Sequence, residues 1–319
     1  MQNDPLISIV IPVRNEGIRI KEAILSFING RSRLFAIEFV VVDDGSVDGC
    51  CDNLFSFNME SGLVVIKVIR LNIWSGIPFC RNIGAKTAAA PIMIVTDANV
   101  RVGYGWDIPA FREVKPNIAL CATIADVGSD WKGYGCLLDI PSMGIKWLKS
   151  PRLFEGYVPV TPCTGTVIYR DLFMKLGGFD TAMPVYGAAE PEFSLRLWLY
   201  GAQVKNVPDL VFHHRFRPSE ERKPFLDQIN LIQVKNYLRF GLLYLGKHQI
   251  TEMLKYWEQS NPSLFYRALN ELNQREIMQR RIYLKNNLTY NLEWFKKRFM
   301  LHNKIIFNNE KSLNPNFCI

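Results

Sequence analysis

Apolar positions follow two different periods along this chain. Up to about residue 100, short runs rich in Ile and Val alternate with stretches of helical spacing; after residue 213 the spacing is helical throughout. The run "LISIVIPV" (6–13) contains no charge, as in a strand covered on both faces. "IEFVVVDDGS" (37–46), "GLVVIKVIRL" (62–71) and "PIMIVTDANV" (91–100) are likewise short runs rich in Ile and Val, and predict three more strands. Between them, "GIRIKEAILSFING" (17–30) places Ile20, Ile24, Phe27 and Ile28 at helical spacing and stops at Gly30. "GIPFCRNIGAKTAAA" (76–90) predicts a second helix.

This alternation implies an α/β fold with a mostly parallel sheet flanked by helices. Such sheets bind ligands at the carboxyl ends of their strands. Two of those ends are acidic here, Asp43-Asp44 and Asp97. Residues 101–185 are rich in Gly, Pro and Trp and show no clean period, which predicts loops around one short strand, "GTVIYR", and then a helix. In "LIQVKNYLRFGLLYLGK", Leu231, Val234, Leu238 and Leu242 share one helical face, with Lys235 and Arg239 off it. The composition shifts near 215–225, at "RFRPSEERKP".

Composition narrows the class. Of 319 residues, 48% are hydrophobic and 21% charged, a balance that permits a sizeable core. No apolar run reaches the roughly 18 residues of a membrane span. The N-terminus lacks a basic leader and enters a strand pattern at once, so a cytoplasmic protein is expected. Seven cysteines lie scattered without a C-x-x-C spacing, which argues for reduced thiols and against a structural zinc. Cys80, Cys121 and Cys163 sit among apolar or small residues and are expected to be buried. The net charge is +8, and 18 of the 38 basic residues but only 9 of the 30 acidic ones lie in 213–319. Such asymmetry suits either a solvated helical face or contact with an anionic membrane; no nucleic-acid partner is expected.

Three stretches carry candidate chemistry. In "VVVDDGS" with "IPVRNE", a carboxylate at a strand end, Asp43, suits a uracil N–H or ribose hydroxyls, with Pro12–Arg14 as the other wall. Asp44 suits the turn, and the local alternative for both is an acidic βα turn. In "TDANV", Asp97 and Asn99 point to one side of an extended segment. Two oxygen donors there suit a hard divalent cation beside a diphosphate, or else an Asx turn. Arg81 on the preceding helix suits phosphate oxygens or a salt bridge. In "FHHRFR", adjacent histidines on a strand face opposite ways, so at most one is a ligand. The stretch "YGAAEPEFSLRLWLYG" (186–201) places Glu190 and Glu192 around Pro191 at a helix start, where acids are ordinary caps.

The order "ISIVIPVRNE", "VVVDDGSVDG", "VIRLNIWSGIPFCRNIGA", "TDANVRVGYGW", "GGFDTAMPVYGAAEPEFSLRLWLYG" resembles GT-A glycosyltransferases of family 2, over roughly residues 6–217. The second half is similar to polypeptide N-acetylgalactosaminyltransferases and to chondroitin-type polymerases. The resemblance implies a GT-A domain over 1–217. Its nucleotide-binding half is about 1–100 and its acceptor half about 101–217, followed by a helical, basic extension over 218–319. That extension does not resemble the ricin-type lectin domain of the polypeptide transferases.

The resemblance also assigns roles. Pro12, Arg14, Glu16, Asp43, Asp44, Arg81 and Asp97 would hold a nucleotide-sugar donor, UDP-linked. Asp97, Asn99 and His214, rather than His213, would hold Mn²⁺ or Mg²⁺. Glu190 lies where the inverting polymerases carry an aspartate base and the retaining transferases an asparagine, so it becomes the candidate base and inversion the expected course. Glu192 keeps a structural role. Three departures stand out: Asn99 replaces a carboxylate or histidine, and Ala188 and Ala189 replace a glycine and a glutamate.

The function implied is metal-dependent transfer of a sugar to a glycan, lipid-linked or peptide acceptor. The alternative is a non-catalytic relative that keeps a nucleotide-sugar pocket. A sugar nucleotidyltransferase would need a Gly-rich basic loop after the first strand, and "PVRNEGIRI" offers one glycine.

Overall fold

The structure is a computed structural model that describes residues 4–58, 63–162 and 164–301. Its core is one large sheet. The strands β1 (Ile7–Val13), β2 (Ile37–Asp43), β3 (Val64–Arg70) and β4 (Ile92–Val95) pair in parallel in the order β3-β2-β1-β4. β1, β2 and β4 are buried along nearly their whole length, which explains their apolar, mostly β-branched sequences; the acid in their interior, Glu38, is satisfied by Ser8 and Lys67. Helices α1 (Arg19–Gly30) and α2 (Ile77–Thr87) cover this half, α1 burying the predicted Ile20, Ile24 and Phe27.

Beyond β4 the sheet turns mixed. β5 (Val100–Val102), β6 (Ile118–Asp126), β10 (Thr166–Tyr169) and β11 (Gln203–His214) complete the order β4-β10-β6-β11-β5. β10 runs antiparallel to both neighbours, β11 runs parallel to β6, and the edge strand β5 is antiparallel to β11. The short β7 (Lys132–Gly133) pairs with β6, and β8 (Cys136–Asp139) with β9 (Gly144–Trp147) form a separate ribbon.

The middle region is therefore more regular than its sequence suggests. β6 and helix α3 (Asp107–Glu113) occupy ground that periodicity assigns to loop. "IALCATIAD" is buried over seven consecutive residues, so both faces are covered and no alternation marks it. The predicted "GTVIYR" strand is β10, followed by α4 (Arg170–Lys175) and α5 (Ala189–Tyr200).

The chain after β11 is helical: α6 (Ser219–Tyr244), α7 (Lys247–Ser260), α8 (Pro262–Glu271), α9 (Gln274–Asn287) and α10 (Leu292–Arg298). Val234 and Leu238 are buried as predicted. Arg239, placed off that face by spacing, is buried as well, and donates to Asp180 and Glu276. It ties α6 to both the sheet domain and α9. Cys80 and Cys121 are buried thiols, and burial pushes Cys121 up to about 12, which keeps it protonated. Cys163 lies outside the described residues. No helix among the described residues is long and apolar enough to cross a membrane.

Candidate functional site

A cleft of about 310 Å³ opens at the carboxyl ends of β1, β2 and β4. One wall is Pro12, Val13 and Arg14 at the end of β1, with Asn15 and Glu16 beyond. The Arg14 guanidinium lies 4.8 Å from the Trp74 ring centroid and donates to the Asp44 carbonyl at 2.7 Å. Asp44 lines the cleft, and its carboxylate accepts the N–H groups of Ser75 (2.6 Å) and Gly76 (2.8 Å). It thereby fixes the loop that carries Trp74.

Asp43 has the other job. It is buried, does not line the cleft, and accepts the Ser46 N–H at 2.9 Å across the βα turn. The roles read from "VVVDDGS" are thus exchanged: Asp44 faces the cleft and Asp43 closes the turn. Side chains alternate along a strand, so neighbouring acids at a strand end cannot share one face. The sequence leaves open which of the two faces the ligand.

The floor is an ion network around Arg81. This side chain on α2 is 1% exposed and donates from Nη1 to Glu190 Oε1 at 2.7 Å and from Nη2 to Asp97 Oδ1 at 2.8 Å. Arg81 does not line the cleft, so the structure turns its expected contact with phosphate into a clasp between two acids. Glu190 is buried in the first turn of α5 and also lies outside the cleft lining. Desolvation pushes its carboxyl above the usual range, and the Arg81 charge pulls the other way.

Asp97 is half committed. Its Oδ1 meets Arg81, while Oδ2 lies 3.9 Å from Nε2 of His214. Strand alternation on β11 buries His214 and leaves His213 exposed. Burial holds the His214 imidazole below its ordinary pKa, hence neutral, with a lone pair to give. Asn99 lines the cleft, and its Nδ2 donates to the Arg215 carbonyl at 3.1 Å.

These residues fit a divalent cation only in part. Among the described residues no three His, Cys, Asp or Glu side chains converge on one point. Asp97 and His214 supply two donors, and the Asn99 amide oxygen is a neutral third. Nδ1 of His214 is buried without a hydrogen-bond partner among the described residues, so packing against Phe216, 4.5 Å between ring centroids, and not an outer hydrogen bond, orients the ring. Such a set holds a metal jointly with a ligand's own oxygens rather than as a closed site.

Three further elements complete the cleft. Arg217 lines it beside His214 and is paired with Glu16, whose carboxyl is pushed up by burial and drawn back by Arg217. Val185 and Tyr186, from the loop before α5, form a second wall. Phe225 and Gln228 come from the first turns of α6, so this helix is part of the site and not a detached extension. Val185, Tyr186 and Ile229 make a small core with Trp74, Ile77, Phe225 and Ile232. Sequence reading missed Trp74, Tyr186, Arg217, Phe225 and Gln228; the aromatic residues at a composition break were the signal available.

Glu192 is fully buried and receives Arg196 through Nε (2.9 Å) and Nη2 (2.6 Å), and the Tyr244 hydroxyl at 2.6 Å. Arg196 also donates to the carbonyls of Leu176 and Gly178. The two acids of "AEPE" thus separate: Glu190 turns to the ion network below the cleft and Glu192 pins α5 to α6.

Comparison with known proteins places this geometry. The model of glycosyl transferase family 2 matches residues 8–177, more than half the chain. Polypeptide N-acetylgalactosaminyltransferase 8 of Drosophila melanogaster is 26% identical over 267 residues, covering 78% of this chain and 45% of that protein. An inactive polypeptide N-acetylgalactosaminyltransferase-like protein 5 of Macaca fascicularis is 24% identical over 308 residues, covering 88% of this chain and 66% of that protein. The chain thus spans about half the length of the curated relatives it matches. Among solved structures, GalNAc-T7 with UDP, GalNAc and Mn²⁺ superposes with a TM-score of 0.73 at 21% identity, over 96% of this chain and 58% of that one. This likeness shows the fold, a GT-A sheet flanked by helices. The chain belongs to glycosyl transferase family 2.

Proposed function

We propose that this chain transfers a sugar from a nucleotide donor, UDP-linked, to a hydroxyl acceptor. One observation carries the reading: Asp97, beside neutral His214 in the cleft, shares the Arg81 guanidinium with Glu190. Donor site and candidate base are thereby built into a single network. The Pro12–Arg14 wall with Trp74 and Asp44 holds the nucleoside. Asp97, His214 and the Asn99 oxygen hold Mn²⁺, or Mg²⁺, together with the diphosphate. When bound, the metal neutralises the charge that develops on the leaving diphosphate. Arg217 faces the same phosphates, with Glu16 as its resting partner.

Glu190 is the proposed base. Burial already raises its affinity for a proton, as the role requires. As the acceptor hydroxyl forms its bond to the anomeric carbon and the bond to the diphosphate breaks, the hydroxyl proton passes to the carboxylate. A carboxylate opposite the leaving group yields inversion. Peptide acceptors gain support from the relatives, polypeptide N-acetylgalactosaminyltransferases; a glycan acceptor rests on the resemblance to the polymerases, and a lipid-linked one on the basic, amphipathic C-terminal region.

A second reading is a nucleotide-sugar binder without turnover. It is favoured by the near-complete burial of Glu190, by its commitment to Arg81, and by the neutral Asn99 amide. One experiment separates the two. UDP release from a panel of UDP-sugars with Mn²⁺, followed by mass spectrometry of products, gives turnover sensitive to Glu190→Gln for a transferase. Tight UDP binding without product identifies the binder.

We further propose a cytoplasmic location and peripheral contact with a membrane. The basic C-terminal region meets an anionic membrane through α9, whose outer face leaves Met278, Ile282 and Tyr283 exposed at 56%, 54% and 54%. Arg275 and Lys285 are exposed on the same helix. A chain on the cytoplasmic side would meet the anionic leaflet.

A further inference from the structure

The wall formed by Val185 and Tyr186 holds an unfavourable backbone. Val185 is β-branched yet has φ +63°, and the Tyr186 N–H donates back to the Pro184 carbonyl at 2.9 Å. A turn closed from residue i to i+2 around a positive-φ residue is a rare and strained γ-turn. A second bond of this span, Ala189 N–H to the Gly187 carbonyl, follows at once and leads into α5 and Glu190. The segment that borders the cleft therefore cannot hold its shape by local preference.

Contacts from two sides hold it, beside the Ile77 N–H, which donates to the Val185 carbonyl at 3.4 Å. On one side Gly76 lies so close that a Cβ there would sit 2.4 Å from the Val185 nitrogen. Gly76 is itself anchored, because its N–H donates to Asp44. On the other side stands Asn236 of α6, 1% exposed. Its Nδ2 donates to the carbonyls of Pro184 and of Tyr186, each at 2.9 Å. Both amide protons thus go to the two carbonyls that bracket Val185. No other side-chain type of this size offers two donors on one atom without a charge.

We propose that Asn236 is a positioning residue of the cleft, through which α6 sets the fit of the donor's sugar. Asn236 touches no cleft space itself. It fixes the turn whose side chains, Val185 and Tyr186, form the wall facing Trp74, and whose continuation presents Glu190. Of the nucleoside wall, Pro12–Arg14 at the end of β1 stand on a separate element, while Trp74 packs against Val185 and Tyr186. The inference rests on the reading of this cleft as a nucleotide-sugar site.

The test pairs Asn236→Leu, similar in size and without donors, with Asn236→Gln and with the double variant Asn236→Leu/Val185→Gly. Glycine adopts positive φ without strain, so it removes the need for the clamp. Hydrogen exchange is expected to rise across 184–190 in Asn236→Leu and to fall back in the double variant. With UDP-GalNAc as probe, KM is expected to rise roughly tenfold or more, because the sugar loses its fit against the Val185–Tyr186 wall. The UDP dissociation constant should rise less than KM, since Trp74 packs on the turn but Pro12–Arg14 stand on a separate element. Unchanged exchange across 184–190 overturns the clamp. Raised exchange with unchanged KM, or a loss of thermal stability not relieved by Val185→Gly, overturns the positioning role. If the unaltered chain neither binds UDP nor turns over UDP-GalNAc, the donor reading fails, and the exchange data alone then decide whether Asn236 holds the turn.

Discussion

Arg81 and Glu190 meet at 2.7 Å, both almost wholly buried, with Asp97 on the other arm of the same guanidinium. Removing one partner of a buried pair strands a charge, at a cost of about 3–5 kcal/mol. Arg81→Met strands two acids and is expected to lose at least that much in urea unfolding. Glu190→Gln keeps an acceptor for Arg81 and should lose less, while turnover falls roughly 10²–10⁴-fold. Equal stability losses for the two variants would show that Glu190 is a structural counter-ion and not a base.

The same pair gives a pH dependence with a definite sign. The Glu190 carboxyl is raised in the folded state, so the native chain binds this proton more tightly than the unfolded chain. Its contribution to stability is full below the ordinary carboxylate pKa and is lost as pH rises through the raised value. Glu190→Gln removes this component, so the stability of the unaltered chain minus that of Glu190→Gln should fall as pH rises above about 4.5 and then level off. A difference that rises with pH would mean that Arg81 outweighs desolvation.

How far the sequence carries the reading depends on the kind of signal. β1, β2 and β4 are plain in it because burial on both faces leaves short runs dominated by Ile and Val. β6 is buried just as fully but carries Ala, Cys and Thr among its apolar residues, so neither period shows. His214 over His213 follows from alternation together with the family spacing. Three features depend on tertiary contacts that no local pattern encodes: the exchanged roles of Asp43 and Asp44, the clasp by Arg81, and the wall supplied by α6. Asn236 resembles any polar residue within a helix until Pro184 is seen beside it.

The two strand-end acids separate by assay. Asp44→Ala strands the N–H groups of Ser75 and Gly76, each loss on the order of 1–3 kcal/mol, and frees the loop that carries Trp74. UDP affinity is therefore expected to fall roughly tenfold or more. Asp43→Ala opens the turn to Ser46 and should lower the melting temperature while affecting UDP less. Calorimetry on both variants decides it. The reverse ranking of UDP affinities restores Asp43 as the nucleotide contact.

Metal and nucleotide should bind as a unit. With only Asp97, His214 and an amide oxygen on offer, Mn²⁺ alone is expected to bind weakly, and UDP to bind more tightly with Mn²⁺ than in EDTA. Asp97→Ala and His214→Ala should abolish that difference, while His213→Ala, which alters an exposed side chain, should preserve it. The assignment fails if UDP binds equally well with Mn²⁺ and with EDTA.

Contact with a bilayer makes demands that a merely solvated basic face does not. Met278, Ile282 and Tyr283 are exposed on α9, whose inner face is already satisfied by buried Ile277 and Leu284. Burying apolar side chains in the interface and placing cations near anionic headgroups favour the same orientation of this helix. Binding to phosphatidylserine vesicles is therefore expected to weaken with salt, through the charges, and with Met278→Ser/Ile282→Ser, through the apolar anchors. Arg275→Gln/Lys285→Gln should act mainly at low salt. All four positions are exposed, so none of these changes should lower thermal stability by more than about 0.5 kcal/mol. Equal flotation with neutral and anionic vesicles, or full binding by the Met278→Ser/Ile282→Ser variant, would leave α9 with a solvated face and no membrane role.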